Sequence, residues 1–413
     1  MLTRRFGPEV INYFAGSRLN RYSFLRSDAA FLQRAAAAPS SRFVVLSDLN
    51  PLVAHDDSSS SSSSSSGKLA LLTWDDIKPL AGGAPFAKTD AEAVERYDST
   101  APSPTLLVFL GAVDDNASHQ RHVGGAVCTT ATSDHGHLHG QPFFAIDATP
   151  RGKRRDATRA WLESQEAKGL RIATDTRRLT LRSEHAAIFA QARSIMDWNT
   201  RNTFCAGCGN RNISVEAGYK RLCPPTDLKG GPEPTPLNDC PTRHGVSNVC
   251  FPRTDPTMIA AVVSADGQRL LLGRQPRWPP HLHSALAGFL EPGESVEEAV
   301  RREVWEEAGV RVGRVVIHST QPWPYPSLMI GAVAQALPGD GETITLNDNE
   351  LESAAWFEMD QVRAALAQTA ATLGSPAPKG YKHGDLRVPP PRAIANRLMT
   401  AVVEGYLSGH SKI

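Results

Sequence analysis

Apolar runs in the C-terminal part of the chain predict a β-sheet interleaved with helices. The strand-like runs are residues 257–264, 268–273, 312–317 and 328–336. The first two are joined by Ala265-Asp266-Gly267, a turn signal that predicts a β-hairpin. Helices are predicted to open at Asp360 and to run over residues 391–406, with Pro391 at the first helical position. This order predicts an α+β domain whose mixed sheet carries helices on both faces.

The N-terminal half has a pattern of its own. Strand-like runs at 105–112 and 142–146 and a helix-like segment at 183–198 predict a separate domain. An unbroken serine tract at 58–66 cannot bury apolar surface, so we expect a disordered insertion within that domain. The composition shifts to Cys, Gly, Pro and Asn between the two halves. The predicted organisation is therefore three domains, residues 1–200, 201–255 and 256–413.

The segment GFLEPGESVEEAVRREVWEEAGV, residues 288–310, predicts a short helix with marked ends. Pro292-Gly293 is a turn signal, and Ser295 with Glu298 forms a capping box that opens a helix. Gly309 stands where a helix would end. The helix is thus predicted from local signals at both of its termini.

Three carboxylates of this helix, Glu303, Glu306 and Glu307, are three and four residues apart, so they project from one face. Like charges at this spacing destabilise a bare helix, and a hard cation such as Mg²⁺ or Mn²⁺ would relieve the repulsion. Arg302 is predicted to pair with Glu294 and to fix the carboxylates in place. The alternative interpretation is a solvated acidic helix face, which is the usual meaning of a charge run.

Cysteine spacing in the middle segment predicts a structural zinc site. Cys205 and Cys208 form a CxxC knuckle, and Cys223 and Cys240 follow downstream, which would give a closed tetrahedral Zn²⁺ site. A redox-active CxxC pair and a set of unconnected thiols are the alternatives. Cys240 opens a segment that can turn, whereas Cys250 lies in an apolar run, 249–251, that predicts a strand. We therefore expect Cys240 as the fourth ligand, with Cys250 as the alternative. Cys128 is expected to be a small buried residue.

The net charge and the terminal sequences of the chain limit which binding partners and which cellular location we expect. The formal net charge of +1 gives no overall positive field that would attract a polyanion such as nucleic acid. No apolar run reaches the length of a membrane span. The opening residues lack the long apolar core of a secretory signal, and acidic residues weaken a mitochondrial interpretation. The chain ends in Ser411-Lys412-Ile413, which is similar to the Ser-Lys-Leu peroxisomal address. We expect a peroxisomal protein; a frayed tail on a cytoplasmic protein is the alternative.

Residues 288–310 fill every fixed position of the pattern G-x5-E-x7-R-E-U-x-E-E-x-G-U, where U is a bulky aliphatic residue. The chain therefore resembles the Nudix hydrolases. Three further segments resemble the NADH pyrophosphatase branch of that family, in its fungal peroxisomal form: STQPWPYPSLMIG at 319–331, FPRTDP at 251–256 and PPPRAIANRLM at 389–399. One departure is that Ser327 follows Pro326 directly, where relatives generally have one more residue.

The resemblance implies a Nudix fold preceded by a zinc ribbon and a degenerate Nudix-like N-terminal domain, in a homodimer. It also implies a role for each matching residue. The metal site would comprise Glu303, Glu307, Glu350 and the Ala287 carbonyl, with catalysis assisted by Arg302 and Glu306. The substrate-binding set would comprise Phe251, Gln321, Pro322, Trp323, Pro324, Tyr325, Pro326, Ser327 and Ala395. Ordinary packing is the alternative for the aromatic members, although three alternating prolines favour a stiff, exposed recognition loop.

The activity implied by the resemblance is attack of water on the diphosphate bridge of NADH, or NAD⁺, giving reduced nicotinamide mononucleotide, or NMN, and AMP. Glu306, Glu307 and Glu350 are all candidates for the general base. Two other functions remain open at this point. The same site could remove NAD caps from RNA, or the domain could be a nucleotide sensor without catalysis, although an intact carboxylate set argues against the sensor.

Overall fold

The computed structural model describes residues 10–55, 67–114, 130–133, 136–176, 179–246, 248–368 and 384–405. The serine tract, Cys128, most of the N-terminal opening and the C-terminal tripeptide lie outside these residues. None of the helices in the described residues is both long enough and apolar enough to cross a membrane.

The N-terminal domain is a nine-stranded sheet between helices. Its strands are β1 (Leu19–Asn20), β2 (Arg42–Ser47), β3 (Asn50–His55), β4 (Gly67–Leu69), β5 (Leu71–Leu72), β6 (Leu107–Asp114), β7 (Thr130–Ser133), β8 (Gly136–Asp147) and β9 (Leu170–Ile172). Its helices are α1 (Ala29–Ala37), α2 (Trp74–Ala81), α3 (Asp90–Glu95), α4 (Arg155–Glu166) and α5 (Ser183–Arg201). The predicted strands and the predicted long helix of this half are therefore confirmed, although β8 begins six residues before its predicted start and the helix ends three residues after its predicted end.

Apolar side chains cover both faces of this sheet. One face packs against α1, α2 and α4 through Phe31, Ile77 and Trp161, and the other packs against α5. Strands β2 and β8 pair in parallel at the centre, which explains why β2 is buried along nearly its whole length. The N-terminal half is thus a complete domain with two hydrophobic layers.

Four short strands make up the cysteine-containing middle segment: β10 (Ile213–Val215), β11 (Lys220–Leu222), β12 (Thr226–Asp227) and β13 (Thr235–Pro236). They pair as two small antiparallel ribbons. The segment is hydrogen-bonded to the N-terminal domain. The Tyr97 hydroxyl donates to the Arg211 carbonyl, and Asn199 on α5 donates to the Gly218 carbonyl. Gly218 has a φ of 95° and lies against Val108, where a Cβ would come within 2.7 Å of a methyl group. The middle segment therefore packs as an extension of the first domain.

The C-terminal domain is a six-stranded mixed sheet, ordered β17-β18-β14-β15-β19, with β16 paired to β14. The strands are β14 (Asp255–Val263), β15 (Arg269–Arg274), β16 (Leu286–Phe289), β17 (Val312–Trp323), β18 (Ser327–Ala336) and β19 (Ser353–Glu358). The helices are α6 (Val296–Ala308), α7 (Met359–Ala367) and α8 (Ile394–Val403). Helix α6 packs on one face and α7 with α8 on the other. The predicted hairpin and the predicted two-faced sheet are both confirmed.

Some predicted boundaries were wrong. Strand β17 does not end near residue 317 but continues to Trp323, because β17 is an edge strand and Pro322 need not donate to a neighbour there. Residues 248–250 form a short 3₁₀ turn and not a strand. The last helix begins at Ile394, three residues after Pro391, and α7 begins at Met359 with a capping box between Glu358 and Gln361.

Candidate active site and zinc centre

Helix α6 begins and ends as its sequence predicts. The Ser295 hydroxyl accepts from the Glu298 amide at 3.3 Å, and the Glu298 carboxylate accepts from the Ser295 amide at 2.7 Å. Gly309 takes the left-handed conformation, with φ 72°, and its amide donates to the Trp305 carbonyl. These caps fix which residues face the sheet and which face outwards.

Arg302 binds the carboxylates on the outer side of α6 and the loop before it. Its guanidinium donates to both oxygens of Glu294, at 2.6 and 2.9 Å, which confirms the predicted pair. It also donates to Glu303 and Glu306, each at 3.0 Å, and to the Phe289 carbonyl. Hydrogen bonds from Arg302 lower the pKa of Glu294 to about 2. Arg302 therefore holds loop, strand and helix together while it orients two of the candidate carboxylates.

Glu307 lies on the inner side of the same helix and is 2% exposed. Its Oε2 atom is buried without a hydrogen-bond partner among the described residues. Burial, reinforced by the nearby charges of Glu350 and Glu303, raises the pKa of Glu307 to about 9. Burial also raises the pKa of Glu303, although Arg302 opposes the shift. A buried carboxylate of this kind needs a compensating positive charge to be ionised near neutral pH.

Glu350 approaches these carboxylates from the loop before β19, and a short polar relay orients it. The Gln275 amide donates through Nε2 to Glu350 Oε1 at 2.9 Å, while its Oε1 accepts from Arg277 Nε at 2.9 Å. The guanidinium can only donate and the carboxylate can only accept, so the amide has one orientation that satisfies both. The sequence did not single out Gln275 or Arg277, since nothing local marks a contact across 75 residues.

Strand β16 supplies the remaining wall of this site. A Cβ on Gly288 would lie 2.0 Å from the carboxyl carbon of Glu303, so a larger residue here would displace the Glu303 carboxylate from its position beside Arg302. The preceding residue, Ala287, pairs with Ile259 in the sheet beside this contact. The buried, unpartnered oxygen of Glu307 and the repulsion of Glu307 by Glu350 and Glu303 are features that a bound divalent cation would compensate.

The four cysteines predicted to bind zinc lie together. Their sulfur atoms are all within 4.8 Å of one another, with Cys205 to Cys240 at 3.5 Å and Cys208 to Cys223 at 3.4 Å. Tetrahedral Zn–S bonds of about 2.3 Å place sulfurs roughly 3.8 Å apart, so the set fits Zn²⁺. The cluster is largely buried, as expected of a closed structural site.

Thr242 supports the fourth cysteine. Its hydroxyl lies 3.0 Å from Cys240 Sγ and 3.6 Å from Cys205 Sγ. Burial acts to raise the pKa of Cys240, but hydrogen bonds from Thr242, Cys205 and Cys208 together outweigh it and the pKa falls to about 6, which favours the thiolate that a metal requires. Cys250 is buried in its 3₁₀ turn and is not a member of the four-sulfur set.

The expected substrate loop is the tip of the β17–β18 hairpin. Trp323 pairs with Ser327, so only residues 324–326 form the turn. Gln321, Pro322 and Trp323 lie in β17, and Ser327 lies in β18. Gln321 is 1% exposed; its amide donates to the carbonyls of Tyr13 and Arg392, and its Oε1 accepts from the Ile394 amide. Gln321 thus ties the hairpin to two other parts of the chain.

The other expected substrate residues are spread around this tip. Tyr325 is 44% exposed, and Trp323 has a buried indole N–H without a partner among the described residues. Phe251 is exposed beside Lys220, whose ammonium lies 5.4 Å from the ring centroid. Ala395 is buried in the core between α8 and the sheet. The structure therefore leaves Tyr325 and Phe251 open to solvent, whereas Gln321 and Ala395 face the interior.

Three domain models match consecutive parts of the chain. The NADH pyrophosphatase-like rudimentary NUDIX domain matches residues 40–198, the NADH pyrophosphatase zinc ribbon domain matches residues 201–230, and the NUDIX domain matches residues 254–375. Together they cover most of the N-terminal sheet, the carboxylate site and three of the four clustered cysteines; Cys240 lies between the second and third matches.

Curated relatives match over nearly the whole chain. The NAD-capped RNA hydrolase of Schizosaccharomyces pombe is 36% identical over 391 residues, which is 94% of this chain and 92% of the relative. The NAD-capped RNA hydrolase NUDT12 of Homo sapiens is 35% identical over 95% of this chain and 73% of its own length. The mitochondrial NAD(P)H pyrophosphatase NUDT13 of Mus musculus is 37% identical over 54% and 56%. With this coverage, and with the zinc ribbon and carboxylate helix in place, the chain belongs to the NADH pyrophosphatase branch of the Nudix hydrolases.

Proposed function

We propose that the protein hydrolyses the diphosphate bridge of NADH, and of NAD⁺, to reduced nicotinamide mononucleotide, or NMN, and AMP. The observation that carries this proposal is Glu307, which is buried with an unpartnered oxygen and whose pKa is raised by burial and by the charges of Glu350 and Glu303. Water adds to one phosphorus, the bridging oxygen leaves with the other phosphate, and the proton of the water passes to a base. The relatives' names, which include NAD-capped RNA hydrolase and NAD(P)H pyrophosphatase, support this substrate class.

Mg²⁺ or Mn²⁺ held by Glu303, Glu307, Glu350 and the Ala287 carbonyl would polarise phosphoryl oxygens and lower the pKa of a bound water. The residues of the chain supply the rest. Arg302 keeps Glu303 and Glu306 oriented, and the Gln275 amide keeps Glu350 oriented. Glu306, Glu307 and Glu350 remain the candidates for the base, since a carboxylate can bind metal and accept a proton in different steps.

The test is product analysis after incubation with Mg²⁺ or Mn²⁺ and NADH, NAD⁺ or ADP-ribose, beside Glu307→Gln. We expect AMP and reduced nicotinamide mononucleotide from NADH, and no products from the variant. Preferential cleavage of ADP-ribose would contradict the proposed nicotinamide specificity. Tight NADH binding without turnover of any substrate would support a sensor instead.

Removal of NAD caps from RNA is the second candidate, and the names of the relatives from S. pombe and human favour it. The same phosphorus would be attacked, with the RNA leaving as its 5′-monophosphate. A comparison of NAD⁺ with an NAD-capped oligonucleotide at increasing salt tests it, because phosphate contacts to RNA make binding salt-dependent. Capped RNA that is cleaved no better than free NAD⁺, with no salt effect, would contradict this role.

Two further features of the protein belong to the proposal. A homodimer is supported by the edge strand β17, which exposes Val316 and Ile317 and has an unpaired side in the described residues. Sedimentation of the wild type beside Ile317→Lys tests it; equal masses at the monomer value would contradict it.

Peroxisomal targeting rests on Ser411-Lys412-Ile413, and a reporter carrying these residues, compared with one lacking them, tests it.

A further inference from the structure

Residues 12–14 of the N-terminal domain, here called the strap, lie along the β17–β18 hairpin. Asn12 is buried, and its Nδ2 donates to Ser319 Oγ at 3.1 Å and to the Thr320 carbonyl at 2.8 Å. The Phe14 ring packs against Trp323, with centroids 5.9 Å apart. The strap therefore contacts the strand that leads into the hairpin tip.

Tyr13 connects the strap to both domains. Its carbonyl accepts from Gln321 Nε2, and the Arg392 guanidinium lies 5.2 Å from the centroid of its ring. Its hydroxyl is bonded to the backbone of Leu181 in the N-terminal domain, accepting from the amide at 2.9 Å and donating to the carbonyl at 3.1 Å. Movement of the tip away from the first domain would break the bond from Gln321 to Tyr13, while the bonds to Leu181 hold Tyr13 on the first domain.

Arg193 on α5 makes a second, separate connection to the tip. Its Nε donates to the Pro324 carbonyl at 3.2 Å, its Nη1 donates to the Leu49 carbonyl, and the guanidinium lies 4.8 Å from the centroid of the Tyr325 ring. The Tyr325 hydroxyl also lies 3.4 Å from Thr176 Oγ1. A planar fork of donors can serve two carbonyls and an aromatic face at once, which an ammonium cannot do.

The C-terminal sheet supports this tip mainly on its β18 side, where the Asp255 amide donates to the Pro326 carbonyl. Strand β17 is at the sheet edge and pairs only with β18 in the described residues, and the turn contains Pro324 and Pro326, which have no N–H to donate. None of the contacts of the strap or of Arg193 described above involves the carboxylate site. The two sets of residues are therefore separable by mutation.

We propose that the N-terminal domain, through the strap and Arg193, holds the 321–327 hairpin tip in the conformation that binds the dinucleotide. This inference rests on the proposed function for its substrate. Arg193 and Asn12 are positioning residues: they act through the tip and leave the metal-binding carboxylates unchanged. An ordered tip lowers the entropy lost when substrate binds, so the effect falls on KM more than on kcat.

The test compares Arg193→Ala and Arg193→Lys with Arg159→Ala, which removes an exposed arginine of α4 in the same domain. Hydrogen exchange without substrate reports on amides 319–327, and steady-state kinetics with NADH and Mg²⁺ report on binding and turnover. For Arg193→Ala we expect faster exchange in that segment and a KM raised about three- to tenfold, with kcat changed less than about twofold. Arg193→Lys should be intermediate, and Arg159→Ala should match the wild type.

Asn12→Ala provides an independent variant at the other connection and should change the same amides and KM in the same direction. Unchanged exchange at residues 319–327 in both variants would overturn the inference, and so would faster exchange with an unchanged KM. Faster exchange in a protein whose wild type turns over no dinucleotide would uphold the connection while refuting the proposed function.

Discussion

The two large domains of this chain share a core of six strands with the same pairing, to which the N-terminal domain adds β1, β4 and β7, but their chemistry differs. In the C-terminal domain, β14 pairs with β18 in parallel and with β15 and β16 antiparallel, while β17 and β19 complete the two sides. In the N-terminal domain, β2 pairs with β8 in parallel and with β3 and β5 antiparallel, and β6 and β9 take the corresponding places. The topology is therefore compatible with both the presence and the absence of the carboxylate site.

The clearest structural difference between the two domains is the length and sequence of one helix. In each domain a helix follows the short strand paired to the central one: α6 has 13 residues, whereas α2 has eight and contains Pro79. Helix α2 carries Asp75 and Asp76 in its first turn, and Asp76 is used in a capping box with Thr73. Helix α6 extends far enough to carry Arg302, Glu303 and Glu307 over the sheet. The comparison shows that the shared fold alone does not determine activity. The length of α6 and the glutamates on it distinguish the domain with the carboxylate site from the domain without it.

The largest expected effect is at Glu307. Glu307→Gln should lower kcat by about 10²- to 10⁴-fold, since it removes a proposed metal ligand and a candidate base. Asp75→Asn on the corresponding helix α2 is the matched control and should leave kcat within about twofold. Steady-state turnover of NADH checks both. A comparable loss in the two variants would mean that the domains do not differ in the way described.

The zinc site should affect stability without affecting the carboxylates. Cys240→Ser should release the zinc and lower the midpoint of thermal unfolding by roughly 10 °C, because metal binding contributes directly to folding. Cys250→Ser should keep one zinc per chain, since Cys250 lies outside the four-sulfur set. Metal analysis and calorimetry measure these quantities. Loss of zinc from Cys250→Ser, with zinc retained in Cys240→Ser, would reverse the assignment of the fourth ligand.

The relay through Gln275 should tune the cation site. Gln275→Leu leaves Glu350 without its amide donor, and we expect Mn²⁺ affinity to fall about tenfold. Gln268→Leu, in the exposed β14–β15 turn, is the control. Titration of Mn²⁺ by electron paramagnetic resonance measures binding without any turnover. Equal affinities in the two variants would show that Glu350 needs no orienting partner.

The last expected effect is on the pH dependence of stability. Burial and neighbouring carboxylates raise the folded-state pKa of Glu307 to about 9, above an ordinary value near 4.5. The folded state then holds a proton that the unfolded state releases, so this contribution to stability is full below about pH 4.5 and is lost as pH rises towards about 9. Without Mg²⁺, Glu307→Gln should therefore be the more stable protein at pH 8, and Mg²⁺ should abolish the difference. Thermal melts at pH 5 and pH 8 test this; a difference that shrinks with rising pH would contradict it.

Local signals predicted the carboxylate helix well. Ser295, Glu298 and Gly309 mark its ends with residues close in sequence, and the Arg302–Glu294 pair spans only eight residues. Prediction failed where distant segments decide the structure. Pro391 does not begin a helix because the first helical amide, that of Ile394, donates to Gln321, 73 residues away. Strand β17 runs past its predicted end for a local reason, since an edge strand tolerates Pro322. Nothing near Asn12 or Arg193 in the sequence marks their contacts with the hairpin tip.

The bonds from Asn12 to Ser319 and Thr320 close loops of 307 and 308 residues. Contacts of such separation form late in folding, since the entropy of closing the loop must be overcome before they contribute. During synthesis the strap leaves the ribosome long before its partner strand does, and the N-terminal domain folds first. The protein would therefore bind the dinucleotide well only after both domains have folded and docked. A nascent chain or a fragment would hydrolyse the cell's nicotinamide nucleotides only slowly.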